Sequence, residues 1–383
     1  MSFRRSPLRI ALVAPPVVPV PPLRYGGTER IVGVLADQLH ARGYEVTLYA
    51  AGDSRVPCRL VPVVPQALWR SGFDGNPAPF FEREVEMVLR DAARYDIIHS
   101  HLEGRGFELA RNSPTPVVST LHGRVDVGPT ALMLDRYLDV GLVAISANQR
   151  SHFPHANWLA VVHNGLPLEQ MPLGSGGGGY LLMVGRLAPE KGIPQAIELS
   201  RRSGLPLVVA AKAIEPREIE IYESFVAPAS ALGHVRFVGE VGGAARDQLF
   251  ANAMATVMLG DWPEPFGLVA IESLAAGTPV IARRAGALPE IVESGTDGFV
   301  VEDVDGAVDV IARIGELDRA TIRQRALARF SAERMVDGYV DVYEGVLTGA
   351  SGSAAESVHS GTFSALKAST TRDPGAVFER DRV

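Results

Sequence analysis

Short apolar runs that alternate with stretches of helical spacing constrain this chain more than anything else in it. Leu8 to Ala14 is an apolar run, as a strand buried on both faces must be. After a proline-rich loop, Ile31, Val34, Leu35 and Leu39 keep the spacing of an amphipathic helix, with Thr28 able to cap it and Gly43 to stop it. Tyr44 to Ala50 is predicted as a second strand, and Asp96 to His99, Val117 to Leu121 and Val140 to Ile145 as further short strands, each ending in polar residues. Strands that alternate with helices imply a parallel sheet. In a doubly wound sheet the carboxyl ends of the strands line the ligand crevice.

The composition shifts at the glycine run Gly174 to Gly179, which is predicted to be flexible and to lie between folded units. A parallel pattern then restarts, with strands at Tyr180 to Val184, Leu207 to Ala211, Val235 to Val238, Ala255 to Leu259 and Pro279 to Ala282. The economical architecture for 383 residues is α/β, with two Rossmann-like domains facing across a cleft. The predicted boundaries are a first Rossmann-like domain over 1–165 and a second over 166–330. Met335, Tyr339 and Tyr343, at i, i+4 and i+8, mark an amphipathic helix over 331–347. Residues 348–383, rich in Ser, Ala, Gly and Thr, read as a disordered tail.

A formal charge of −7 without a long basic run argues against nucleic acid as a partner. The one cysteine, Cys58, excludes an internal disulfide framework and a cysteine-based zinc cluster, and its place in a predicted strand makes it a buried, inert thiol. The opening MSFRRSPLRIALVAPP carries too short an apolar run for a secretory core and reads as a first strand with a polar lead. No stretch approaches the roughly 18 apolar residues that a membrane span needs. A cytoplasmic enzyme is expected, with peripheral membrane contact left open, although the helix beginning FFEREVEMVL at Phe80 mixes acid with base and is a poor anionic-lipid binder.

Glu264 to Glu272, EPFGLVAIE, sets two carboxylates eight positions apart around a turn that opens a helix. Pro265 fixes φ and Gly267 lets backbone approach a ligand, so the N–H groups of Phe266, Gly267, Leu268 and Val269 stand at the positive end of a helix dipole, a seat for phosphate. The two glutamates repel an anion and are better placed to hold hydroxyls. A diphosphate flanked by two hydroxyl-bearing rings, as in a nucleotide-sugar, fits such an arrangement.

The segment resembles the glutamate–any seven–glutamate signature of the retaining glycosyltransferases of family 4, which have the GT-B fold, and the run Trp262 to Val301 resembles that family's donor-binding half. The resemblance covers nearly all of residues 8–347 and implies a metal-independent hexosyl transfer from a nucleotide-diphosphate sugar, UDP-glucose or GDP-mannose, to an acceptor hydroxyl. It implies that Glu264 binds a hydroxyl of the transferred sugar and Glu272 the ribose. VGRLAPEKG resembles the family's diphosphate clamp, with Arg186 and Lys191 as its cations, and Gly27 in RYGGTER is expected to close over the donor. By the same resemblance His122 contacts the sugar and stabilises positive charge at the anomeric carbon, through its ring or its carbonyl. Lys212 and Val241 are placed near the base, and the final helix is expected to cross back onto the first domain. The resemblance implies that the first domain binds the acceptor and the second the nucleotide-sugar. No cofactor and no metal are expected, and the acceptor is a carbohydrate, a lipid-linked molecule or a small molecule.

His99 and His101 also end a predicted strand; lacking a carboxylate or cysteine at ligand spacing they make no metal site, and they are expected on the acceptor side with Asp126, Arg150 and Asn164. Glu290, in GALPE, is expected to cap or support the sugar pocket. Asp303-Val304-Asp305 matches a metal–diphosphate pattern, but its place before an apolar-periodic stretch reads as a helix cap. Two other functions fit the same residues. One is a nucleotide-sugar hydrolase or epimerase on this scaffold; the other is a non-catalytic nucleotide-sugar-binding subunit.

Overall fold

The computed structural model describes residues 7–23 and 26–349; the tail expected from 348 onward lies almost wholly outside the described residues. Seven strands form a first parallel sheet: β1 (Arg9–Val13), β2 (Glu45–Ala51), β3 (Arg59–Val64), β4 (Ile97–Ser100), β5 (Val117–Leu121), β6 (Leu142–Ala144) and β7 (Trp158–Val161). Six form a second: β8 (Leu181–Arg186), β9 (Leu207–Lys212), β10 (Val235–Phe237), β11 (Ala255–Met258), β12 (Val280–Arg283) and β13 (Gly298–Val301). Their orders are β3-β2-β1-β4-β5-β6-β7 and β10-β9-β8-β11-β12-β13, so each reverses direction once, between β1 and β4 and between β8 and β11. A crevice opens at such a reversal because the flanking helices pass to opposite faces. This is the GT-B arrangement of two Rossmann-like units.

The first helix starts two residues earlier than its sequence suggests. It spans Gly27–Ala41, so Thr28 lies inside the first turn and Gly26 holds the cap position. Gly43, at φ 86, ends it as expected. Ile31, Leu35 and Leu39 are fully buried, each contributing about 2 kcal/mol relative to exposure. They belong to one apolar cluster that continues through Tyr339 and Tyr343 of the last helix, Ala332–Thr348, to Phe266 and Leu274 of the second unit. That helix does cross back: Arg42 pairs with its Asp337, and its tyrosine hydroxyls reach His99 and Thr120.

The glycine run is not a flexible spacer. Gly174, Gly176 and Gly178 donate N–H bonds to Ala276, Ala251 and Asn252 of the second unit at 3.0, 3.2 and 2.9 Å. A Cβ at Gly174 would stand 1.7 Å from the Ala251 carbonyl oxygen. Glycine serves here for its lack of a side chain in backbone-on-backbone packing, not for freedom. The Asp303 side chain accepts from the Gly306 N–H at the start of helix Val304–Val310, the cap expected of it.

Candidate functional site

The carboxyl ends of both sheets face a cavity of about 1040 Å³. Of the site residues named from sequence, Gly27, His122, Arg186, Lys191, Val241, Glu264, Phe266, Gly267, Leu268, Val269 and Glu272 line it, and Lys212 does not. Lys212 ends β9 beside Arg186, but its ammonium is drawn to Glu215, 2.7 Å away, and lies 5.4 Å from the Trp69 ring. Glu215 and Glu218 form a reciprocal capping box with Pro216 at the first helical position. The acidic caps that start that helix thus hold the lysine off the cavity wall.

Lys191 reaches the cavity through two glycines. Pro189–Lys191 is a single helical turn closed by Gly192 at φ 74, a conformation that disfavours side chains. A Cβ on Gly192 would lie 2.5 Å from the Gly260 nitrogen, so this loop packs directly on the chain leaving β11. The contact delivers the Lys191 ammonium to Glu264, with which it pairs. Gly267, at φ 110, then turns the chain into helix Leu268–Ala275. Across the cleft a Cβ on Gly27 would stand 3.8 Å from Leu268 Cδ1, so the glycine loop of the first unit faces that helix start. Arg186 bonds Glu190 at 2.9 Å on the same wall.

Glu272 is 1 % exposed and is held by two arginines, one from each unit. Arg246 grips both carboxylate oxygens, while Arg30 takes Oε1 from the opposite side of the cleft. Burial pushes this carboxyl up, and the two guanidiniums more than offset it, holding the group below the ordinary glutamate range. Neither arginine is among the site residues named from sequence. A signal was available: GGTER (Gly26–Arg30) and GGAAR (Gly242–Arg246) share the spacing Gly-Gly-x-x-Arg, each at the start of a helix.

His122 lies at the end of β5 with its Nε2 2.9 Å from His101 Nδ1. Burial lowers its pKa to about 4, so the ring in the cavity is neutral at neutral pH. His99 and His101 do not line an acceptor side. Both are fully buried and absent from the cavity wall. His99 bonds Tyr343 and Thr120, each at 2.7 Å, because the last helix covers the end of β4. Asn164 lines the cavity; Asp126 pairs with Arg124, whose guanidinium stacks 4.4 Å over Trp262, and neither Asp126 nor Arg150 lines it. Glu290 works across the cleft: its carboxylate accepts the N–H groups of Ala147 and Asn148 at the start of helix Ala147–Ser151 in the first unit. Beside it Ser146 donates to the Pro265 carbonyl at 2.7 Å. Trp69, 53 % exposed, completes the wall opposite β9 and was not anticipated.

Two family models match: Glycosyltransferase Family 4 over residues 25–170 and Glycosyl transferases group 1 over 173–328. The chain is 28% identical over 385 residues to the D-inositol 3-phosphate glycosyltransferase of Mycolicibacterium smegmatis, covering 86% of this chain and 87% of that one. Among solved structures, AviGT4, a glycosyltransferase involved in avilamycin A biosynthesis, matches with a TM-score of 0.66 at 28% identity, over 90% of this chain and 99% of that one. Sucrose-phosphate synthase from Thermosynechococcus elongatus matches with a TM-score of 0.72 over 89% of this chain and 100% of that one; at 20% identity the likeness is one of fold. Among the described residues no helix is long and apolar enough to cross a membrane.

Proposed function

This chain belongs to the family 4 glycosyltransferases with the GT-B fold, and from that premise we propose that it moves a hexosyl unit from a nucleotide-diphosphate sugar to an acceptor hydroxyl, without a metal ion and with retention at the anomeric carbon. The observation that carries this reading is the Lys191–Glu264 pair set against the start of helix Leu268–Ala275, with Arg186 on the same cavity wall. As the bond from the anomeric carbon to the β-phosphate oxygen breaks, negative charge collects on the diphosphate. Fixed cations and helical N–H groups stabilise it without reorganising. One cation about 4 Å from the leaving oxygen contributes on the order of 4 kcal/mol at an effective dielectric of 20.

Glu264, already holding the lysine, suits a sugar hydroxyl as its second partner. Glu272 keeps lone-pair capacity on Oε2, which among the described residues accepts from Arg246 alone, and this capacity serves the ribose. Gly27 closes from the opposite side. The acceptor oxygen attacks the face the diphosphate leaves, and the departing phosphate takes its proton. UDP-glucose and GDP-mannose are the donors proposed, with the acceptor seated against the first unit.

The test is a panel of nucleotide-sugars screened for turnover with the purified protein, followed by NMR of the product and a repeat in EDTA. The expected result is transfer of a hexose with its anomeric configuration kept and its rate untouched by the chelator. An inverted product, or loss of turnover in EDTA, overturns the corresponding part of the reading.

A further inference from the structure

The turn that carries His122 is clamped on both sides by side chains, the half-buried Glu103 and the buried Gln149. Glu103 Oε1 accepts the His122 N–H at 2.7 Å and the Gly123 N–H at 3.0 Å. Gln149, 2 % exposed, donates its amide to the Leu121 carbonyl at 2.9 Å and the Gly123 carbonyl at 2.7 Å. Gln149 is itself fixed, since its side-chain oxygen accepts the Ile145 N–H and its own N–H is taken by Ser146. From the Leu121 carbonyl to the Gly123 carbonyl, the one backbone group without a hydrogen bond among the described residues is the carbonyl of His122.

A trans peptide directs a carbonyl opposite to the N–H that follows it. With the Gly123 N–H drawn to Glu103, the His122 carbonyl is turned away from Glu103, and both His122 and Gly123 line the cavity. Glu103 bears the marks of a residue held for this purpose. At φ 53 it is the one non-glycine with positive φ among the described residues, a conformation that persists only where the surroundings over-determine it. Its second oxygen is buried without a partner, and burial pushes the carboxyl up to about 7.

Resting on the glycosyl-transfer reading above, we propose that Glu103 and Gln149 are positioning residues that aim the His122 carbonyl at the sugar being transferred. The carbonyl's partial negative charge then faces the positive charge that develops at the anomeric carbon. A displacement of the order of 1 Å in such a group costs about 10²-fold in rate.

The experiment compares Glu103→Gly, Glu103→Gln, Gln149→Ala and the Glu103→Gly/Gln149→Ala pair with the wild type, using the donor that the wild type turns over. Glycine adopts φ 53 without strain, so Glu103→Gly removes the carboxyl without threatening the fold, which a melting curve checks. It is expected to lower kcat about 10²-fold while donor KM and the Kd of the free nucleoside diphosphate, which carries no sugar, stay within about threefold. Glu103→Gln keeps an acceptor for both N–H groups and is expected to restore kcat to within about threefold of wild type. The double variant is expected to lose little more than the worse single one, because both act on one turn. A Glu103→Gly enzyme with wild-type kcat, a loss carried by KM or nucleotide Kd instead, or a Glu103→Gln enzyme as slow as the glycine variant overturns the proposal. A wild type that turns over no nucleotide-sugar overturns the glycosyl-transfer reading first, and this proposal with it.

Discussion

Replacing Arg246 with methionine tests the charge balance on Glu272, the carboxylate at which the two units meet. The substitution keeps the apolar stem that packs in the site and deletes the guanidinium that grips both oxygens of Glu272. Removing one partner of a buried ion pair costs about 3–5 kcal/mol. Arg30 stays on Oε1, but it is 36 % exposed and its attraction is screened. A loss of about 2–5 kcal/mol follows, which at about 2–4 °C per kcal/mol is about 4–20 °C in Tm. The pH dependence has a defined sign. In the wild type Glu272 sits below the ordinary glutamate range, so its contribution is present above the unfolded pKa and fades as pH falls through the folded one. In Arg246→Met burial dominates and the folded pKa rises above the unfolded one, so the deficit is largest near neutral pH and shrinks toward about pH 4. Adding Glu272→Gln removes the stranded charge and recovers part of the loss. Scanning calorimetry of the three variants at neutral and acid pH reads all of this. An Arg246→Met protein melting within about 1 °C of wild type at neutral pH, or a double variant no better than the single, refutes the argument.

Three further outcomes are expected. Lys191→Ala lowers kcat by about 10² with little change in melting, measured by donor turnover beside a thermal scan; near wild-type turnover removes the lysine from the clamp. Glu290→Ala uncaps helix Ala147–Ser151, costing about 1 kcal/mol and speeding amide exchange at Ala147 and Asn148, which mass spectrometry follows; unchanged protection there contradicts the cross-cleft cap. Glu29 is 7 % exposed, and burial raises its carboxyl to about 7. A raised folded pKa gives stability that is whole below the unfolded value of about 4 and is lost as pH rises through about 7. Glu29→Gln should therefore flatten part of the decline in denaturation free energy between about pH 5 and pH 8, and an identical slope in the variant dismisses the assignment.

The strands could be read from the sequence because a parallel sheet buried on both faces writes itself as short apolar runs, and β5, Val117–Leu121, matches its run residue for residue. β7 and β13 escaped: Trp158–Val161 is half-buried at a sheet edge, and Gly298–Val301 is four residues led by a glycine. Within the site, the loop of Lys191 and the start of helix Leu268–Ala275 could each be placed on the cavity wall because strand ends and short loops fix local geometry, but the pairing of Lys191 with Glu264, 73 positions away, could not. What could not be read comes from elements far apart in the chain. His99 was assigned to an open strand end, yet Tyr343, 244 positions later, covers it; Glu272 looked free for a ribose, yet Arg30 reaches it from 242 positions earlier. Both partners come from helices that bridge the two units, so neither contact exists until the units have docked. The same docking puts the two Gly-Gly-x-x-Arg helix starts on one carboxylate. On the reading proposed above, a ribose held by Oε2 of Glu272 would share that carboxylate with Arg30 of the first unit on Oε1, so donor binding and the contact between the two halves would meet at one residue.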